Sequence, residues 1–176
     1  CGDGWCSRLV QSSVDNLTIS DYDPVFINKY QELISKKNHI QRKLPPAFRN
    51  SDSKIIALIH NILEGPFQEK YDAIYALDVL EHIERKDEDS FLKNTIDSLD
   101  KNGILILGMP TIESQHYASP QSKAGHVNCK NGNDFKNLME SYFHNVLLFS
   151  MNDEVVHTGF SKMAHYVFTI SLGKKI

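Results

Sequence analysis

Short runs of apolar residues alternate with longer amphipathic segments along most of the chain. Continuous apolar runs, as at 55–59 and 104–108, are typical of parallel strands that are covered on both faces. Between such runs, apolar residues recur at three- and four-residue spacing, which predicts helices at 25–37 and 90–99. Strands that alternate with helices predict a sheet with helices on both sides. The predicted strands are 17–20, 55–59, 71–77, 104–108, 145–151 and 165–172, and the predicted helices are 7–13, 25–37, 90–99 and 134–142.

The pattern changes in three places. The last two predicted strands are joined without a helical pattern, which predicts an antiparallel pair at one edge of the sheet. The polar, turn-rich stretch 38–53 predicts an inserted loop. The stretch 111–133 is long and polar, and a loop of that length inside a compact domain is more often functional than not. The whole chain, 1–176, is predicted to form a single domain.

Polar or small residues follow the predicted strands. Asp21, Asn61, Asp78 and Gly108 each stand near the end of an apolar run, and ligands of parallel sheets bind beyond the carboxyl ends of the strands. At the start of the chain, Gly2-Asp3-Gly4 suits a tight turn in which the backbone approaches a ligand and a helix opens. These features predict a nucleotide-type cofactor site, and we expect the strand that precedes this turn to lie upstream of Cys1.

Composition excludes several classes of protein. The chain is 41% hydrophobic and 23% charged, as in a globular domain, and its net charge of -3 argues against a nucleic-acid partner. It has no apolar run near the roughly 20 residues that span a membrane. Three cysteines are too few and too scattered for a disulfide framework, so a cytoplasmic location is predicted. The histidines and acidic residues are not at short regular spacings, so no metal site is predicted from sequence, although the fold could assemble one.

Four segments together resemble small class I S-adenosylmethionine-dependent methyltransferases. The segment 75–83, YALDVLEHI, resembles the signature of the family's fourth strand and is the most specific match. Residues 1–4 resemble its glycine-rich first motif with the upstream strand cut away, and 19–24 resemble the acidic end of its second strand. Residues 99–110 resemble the helix end, turn and fifth strand that ends in a small residue and proline.

This resemblance implies a Rossmann-like three-layer α/β/α sandwich with a mostly parallel seven-stranded sheet, an antiparallel last strand, and a first strand missing or incomplete here. It also implies S-adenosylmethionine as cofactor and S-adenosylhomocysteine as product. Asp21 would accept hydrogen bonds from the ribose hydroxyls. Asn61 stands where the family often has an aspartate beside the adenine, and an amide can still make one polar contact there. The implied cofactor-binding residues are Gly2, Asp3, Gly4, Asp21, Tyr22, Asn61, Ile62 and Asp78.

The chemistry needs few groups, because a methyl group on a sulfonium is already a strong electrophile. The enzyme aligns donor and acceptor and, for a hydroxyl acceptor, removes a proton. Histidine is the natural base near neutral pH, so His126, in the long loop, and His82, after the fourth strand, are the predicted catalytic residues. His116, Tyr117 and His157 are further polar candidates.

The leading hypothesis is methyl transfer to a small-molecule acceptor, an oxygen of a sugar or another metabolite, without a nucleic-acid or membrane partner. An N-methyltransferase acting on a small amine or a protein is the first alternative. A non-catalytic module that binds S-adenosylmethionine is the second. A dinucleotide-dependent oxidoreductase is disfavoured because the third glycine of its fingerprint is missing. The oligomeric state is left open.

Overall fold

The computed structural model describes residue 2, residues 7–41 and residues 54–175. The chain divides into two compact units, Cys1–Asn61 and Ile62–Ile176, and a single domain over 1–176 stays a prediction. The helices are α1 Ser7–Gln11, α2 Pro24–Gln41, α3 Glu88–Asp97, α4 Pro120–Gly125 and α5 Gly132–Tyr142. The strands are β1 Asn16–Asp21, β2 Lys54–Ile59, β3 Tyr71–Leu77, β4 Leu99–Pro110, β5 Phe143–Asn152, β6 Val155–His157 and β7 Tyr166–Lys174.

In the first unit, β1 and β2 pair in parallel, from Asn16 opposite Lys54 to Asp21 opposite Ile59. The alternate residues Leu17 and Ile19 of β1 are buried with Tyr30 of α2, as the period of two in a strand requires. 

At the start of α2, the carboxylate of Asp23 accepts a hydrogen bond from the Val25 N–H at 2.8 Å, as a helix N-cap does, and Pro24 occupies the first position of the helix. In β2, Ile56 and Leu58 are 36% exposed, so the described residues do not provide the cover that was expected on both faces of that strand.

The second unit holds a five-stranded sheet in the order β3-β4-β7-β5-β6. Strands β3 and β4 are parallel, whereas β7 runs antiparallel to both of its neighbours, β4 and β5. The predicted antiparallel last strand is therefore present. The strand β6 forms a short hairpin with β5 inside the predicted connection between the last two strands.

One face of this sheet carries the main core. Leu105, Leu107 and Met109 of β4 alternate toward this face and are fully buried. They pack in one cluster with the apolar faces of α3 and α5. Burying a side chain of this size stabilises the fold by roughly 1.5–3 kcal/mol. This packing holds β3 and β4 in the register that fixes where their carboxyl ends lie.

The structure departs most from the predicted boundaries in three places. The helix α3 ends at Asp97, and β4 begins at Leu99 rather than 104, because Leu99 pairs with Tyr71 before a register shift at Ala73. The long loop 111–133 is not irregular throughout, since it contains the 3-10 turn Glu113–Tyr117 and α4. The predicted loop 38–53 begins inside α2, and its remaining residues, 42–53, lie outside the described residues. Among the described helices, none combines the length and apolar character needed to span a membrane.

Candidate active site

Asp21 ends β1 with its carboxylate held by the backbone. Its two oxygens accept hydrogen bonds from the Gly2 N–H at 3.1 Å and the Asp23 N–H at 3.0 Å. Burial raises the pKa of Asp21, but these and other hydrogen bonds outweigh it, and the pKa falls below its ordinary value. Gly2 has a φ of +51°, which a glycine adopts without strain. The chain therefore presents an ionised, oriented carboxylate at the end of β1.

The neighbouring strand ends at the same edge of this unit. The His60 N–H donates to the Asp21 carbonyl at 2.9 Å, so Asn61 follows directly beside the end of β1. Asn61 and Ile62 are half-buried, whereas Tyr22 is 74% exposed. Two other predicted cofactor residues, Asp3 and Gly4, lie outside the described residues.

In the second unit, Asp78 follows β3 in a strained backbone conformation. Its φ is 56°, in the left-handed region that side chains other than glycine seldom adopt. Its N–H donates to the Gly108 carbonyl of β4 at 3.1 Å, which holds the turn in place. Strain of this kind clusters at functional sites. The side chain of Asp78 is exposed at the carboxyl end of the strand.

Glu81 lies in the 3-10 turn Leu80–His82 that follows. Its side chain is fully buried near the carboxylate of Asp78, and within the described part of the chain no well-formed hydrogen bond reaches either carboxylate oxygen. Burial raises the pKa of Glu81 to about 7, and the negative charge of Asp78 contributes to the shift. Glu81 is not among the site residues predicted from the sequence, although it directly precedes His82 in the most specific motif.

The two predicted catalytic histidines lie together. The rings of His82 and His126 meet edge to face, with centroids 5.0 Å apart. The Nδ1 of His82 is 2.9 Å from the Gly125 carbonyl, and the Nδ1 of His126 is 2.8 Å from Oε1 of Gln115. Burial lowers the pKa of His126, and the neighbouring His82 lowers it further. The lowered pKa favours the neutral form of the His126 ring.

Tyr166 of β7 lies close enough to Asp78 and Glu81 to sense their charge. Its hydroxyl is buried near Asp78, and no well-formed hydrogen bond reaches it from the described residues. Burial raises the pKa of Tyr166, and the charges of Asp78 and Glu81 raise it further. Its ring crosses over Gly108, where an added Cβ would lie 2.7 Å from the ring. Nothing in the sequence pattern distinguished this tyrosine.

The other polar candidates, His116, Tyr117 and His157, lie outside this cluster. His116 and Tyr117 contact each other edge to face, and Tyr117 is 87% exposed. The Nδ1 of His157 accepts a hydrogen bond from the Gly159 N–H at 3.0 Å, which fits a role in its own turn. 

A cavity of about 290 Å³ lies elsewhere in the second unit, and two of its charged residues, Lys130 and Glu88, pair with each other. The Lys130 ammonium lies 2.7 Å from the Glu88 carboxylate, and the Asn128 amide also donates to Glu88 at 2.7 Å. None of the predicted site residues lines it. We therefore place the candidate active site at the cluster of Asp78, Glu81, His82 and His126. The cavity is lined by Arg85, Glu88, Ile112, Cys129, Lys130, Asn131, Asp134 and Leu138.

Comparison with known families gives a match over most of the chain. Residues 1–146 match the model of a methyltransferase domain. The chain belongs to this methyltransferase family. The predicted methyltransferase is thereby confirmed, and with it the enzyme class and S-adenosylmethionine as the cofactor of the family.

Solved structures of methyltransferases share the fold. The N-methyltransferase NodS from Bradyrhizobium japonicum WM9, in complex with S-adenosylhomocysteine, has a TM-score of 0.64 at 16% identity, over 98% of this chain and 74% of NodS. The methyltransferase domain of a bacterial Hen1 protein, CtHen1-C, has a TM-score of 0.69 at 17% identity, over 98% and 86%. The small RNA methyltransferase HEN1 has a TM-score of 0.71 at 15% identity, over 98% and 22%. No curated protein matches the sequence significantly. The Rossmann-like fold class is confirmed by this likeness.

Proposed function

We propose that this methyltransferase transfers the methyl group of S-adenosylmethionine to an oxygen of a small molecule, such as a hydroxyl of a sugar or another metabolite. The observation that carries the proposal is the cluster of His126, His82 and Glu81 beyond the end of β3. A hydroxyl acceptor must lose a proton as it is methylated, and this cluster supplies groups that can take up a proton near neutral pH.

For the cofactor, Asp21 is the proposed partner of the ribose hydroxyls. Its carboxylate is ionised and already oriented by the N–H groups of Gly2 and Asp23, and a charged acceptor makes the stronger hydrogen bond to a hydroxyl. In the proposal, Asn61 makes a polar contact with the adenine. The other proposed cofactor contacts are Gly2, Asp3, Gly4, Tyr22, Ile62 and Asp78.

For the acceptor, His126 and His82 are the proposed positioning and proton-accepting residues. The O–CH₃ bond forms as the C–S bond of the sulfonium breaks, the hydroxyl proton passes to the cluster or to solvent, and S-adenosylhomocysteine leaves. Alignment of the oxygen with the methyl carbon supplies much of the rate. A neutral imidazole suits this role because it can hydrogen-bond the hydroxyl before it accepts the proton.

The proposal is tested by incubating the protein with S-adenosylmethionine labelled in its methyl group, together with panels of sugars, other hydroxyl compounds and amines, and separately with small RNA. We expect label in an O-methyl product, identified by mass spectrometry. Label in N-methyl products alone would instead support the alternative that NodS, an N-methyltransferase, illustrates. Labelled small RNA would contradict the prediction of no nucleic-acid partner, and HEN1 is a small RNA methyltransferase. A cytoplasmic location also stays a prediction.

A variant separates chemistry from binding. His126→Ala is expected to lower turnover about 100-fold or more while the affinity for S-adenosylhomocysteine, measured by calorimetry, stays within a factor of about two. Equal loss of both would assign His126 a structural role. If S-adenosylhomocysteine does not bind the wild-type protein, while the fold is intact by circular dichroism, the third possibility of a module without turnover is also excluded.

A further inference from the structure

We propose that Glu81, His82 and His126 bind one divalent transition-metal ion, of the class of Mn²⁺, Co²⁺ or Zn²⁺. Each residue offers one ligand atom, and these three atoms all lie within 4.8 Å of one another. Atoms that share an ion at about 2.0–2.2 Å lie roughly 3–4 Å apart. Side-chain movements of about 1 Å would therefore bring all three into one coordination sphere.

The backbone and a neighbouring amide fix both imidazoles in the tautomer that a metal needs. The carbonyl of Gly125 can only accept a hydrogen bond, so the Nδ1 of His82, at 2.9 Å, carries the proton. Oε1 of Gln115 imposes the same choice on the Nδ1 of His126, at 2.8 Å. Each ring then has a free lone pair on Nε2. An N–H of the ligand histidine that donates to a carbonyl or amide oxygen is the usual support of a metal-binding imidazole.

The carboxylate of Glu81 supports the metal site independently of the histidine geometry. It is fully buried beside the two rings, its Oε1 lies 4.0 Å from Nε2 of His82, and no well-formed hydrogen bond reaches its oxygens in the described part of the chain. An ionised carboxylate in such a place is costly unless a proton or a cation compensates its charge. A cation held between this oxygen and the two nitrogens provides that compensation.

The donor set selects the kind of ion. Two imidazole nitrogens and one carboxylate oxygen suit first-row transition metals better than Mg²⁺ or Ca²⁺, which favour oxygen ligands. One carboxylate with two neutral rings leaves a net positive charge on a bound dication, and the nearby carboxylate of Asp78 offsets part of it. His82 is about half exposed, so the ion would keep coordination positions open toward solvent. Open positions are the mark of a catalytic rather than a structural metal site.

The catalytic consequence rests on the proposed function. An acceptor hydroxyl that occupies an open position would be acidified by the ion, and its proton would leave to solvent. The oxygen would then attack the methyl carbon as the C–S bond breaks. With both Nε2 atoms on the ion, the histidines would position the acceptor through the metal, and of the two routes that the proposed function allows the proton would take the one to solvent. Acceptors that offer two adjacent oxygens would be favoured, because they can occupy two open positions.

The test is a titration of the full chain with Mn²⁺ in buffer previously treated with chelator. Electron paramagnetic resonance of the free ion measures how much Mn²⁺ is bound at each step. We expect one site in the wild-type protein and affinity at least tenfold weaker in Glu81→Gln and in His126→Gln. Loss of a direct ligand should cost no less than the roughly 10- to 100-fold known for supporting residues. The matched control is His116→Gln, in the same loop but outside the cluster, which should bind as the wild type does.

Two outcomes overturn the proposal: no binding of Mn²⁺, with Co²⁺ and Zn²⁺ also failing by calorimetry, or binding that neither cluster variant weakens. The second would indicate a site elsewhere, and circular dichroism of each variant excludes unfolding as the cause of a loss. Calorimetry with S-adenosylhomocysteine is run in parallel on metal-free protein. Metal binding without cofactor binding would refute the proposed function but support the metal site. Cofactor binding without metal binding would refute only the metal site.

Discussion

Two carboxylates stand near the ends of strands in the two units of this chain, and their surroundings are opposite. Asp21 accepts hydrogen bonds from two backbone N–H groups and has a lowered pKa. Glu81 is buried without a well-formed hydrogen bond from the described residues, and its pKa is raised to about 7. A carboxylate that is already ionised and oriented suits binding, while one that can gain or lose a proton or accept a cation suits chemistry.

The largest expected effect is the loss of turnover when the charge of Glu81 is removed. Glu81→Gln keeps the shape of the side chain and removes its charge, so turnover should fall about 100-fold or more, since acid–base and metal functions are both lost. Affinity for S-adenosylhomocysteine should change by less than about threefold. Rates of methyl transfer and calorimetry check this. Unchanged turnover would mean that Glu81 has no part in the reaction.

The pH dependence of stability should differ in sign between the two carboxylates. The pKa of Glu81 is raised in the folded state, so its contribution to stability is fully present below the unfolded value of about 4.5 and is lost as pH rises toward about 7. This loss amounts to at most about 3 kcal/mol. Asp21 has a lowered pKa, so its contribution is present above the unfolded value and is lost as pH falls through the folded value.

Urea unfolding at several pH values, in buffer with chelator, measures this difference. Relative to wild type, Glu81→Gln should gain stability as pH rises from 4.5 to 8. Asp21→Asn should lose stability relative to wild type over the acidic range as pH rises. Parallel curves for the two variants would show that the two environments do not differ as the geometry indicates.

Asp21→Ala tests whether the other carboxylate, Asp21, binds the cofactor. Loss of a charged acceptor from the proposed ribose contact should weaken S-adenosylhomocysteine about 10- to 100-fold, at roughly 1.5–3 kcal/mol for a hydrogen bond to a charged group. The matched control is Asp23→Ala, which removes the cap of α2 in the same turn. It should cost about 1 kcal/mol of stability and leave the affinity, by calorimetry, unchanged.

The smallest expected effects are losses of stability on substituting two glycines, Gly108 and Gly2. At Gly108 an added Cβ would lie 2.7 Å from the Tyr166 ring and 2.9 Å from Leu77, so Gly108→Ala should destabilise the protein by about 1–3 kcal/mol. At Gly2 no atom of the described residues lies within 4 Å of an added Cβ, and the positive φ opposes a side chain, at about 1–2 kcal/mol. Thermal unfolding measures both. The double variant Gly108→Ala with Tyr166→Leu should recover part of the loss, and no recovery would place the strain elsewhere.

Much of the candidate site could be predicted because it follows local pattern. The strand 71–77 was predicted with the bounds that the structure has, and the residue after its end, Asp78, is fixed by where the apolar run stops. Asp21 and His82 were found for the same reason. The start of β4 was missed, because residues 99–103 are mostly polar and become a strand only by pairing beside β3.

What the sequence alone determined is the order of strands and helices, the family, and the polar residues at the strand ends, since these depend on neighbours along the chain. Only the tertiary structure decided which of those residues meet. His82 is oriented by Gly125 and His126 by Gln115, and these contacts form only when the chain folds. The burial of Glu81 and Tyr166 likewise depends on the packing of other segments around them. Burial and hydrogen-bond partners set pKa and metal affinity, and both are properties of packing that a linear pattern does not contain.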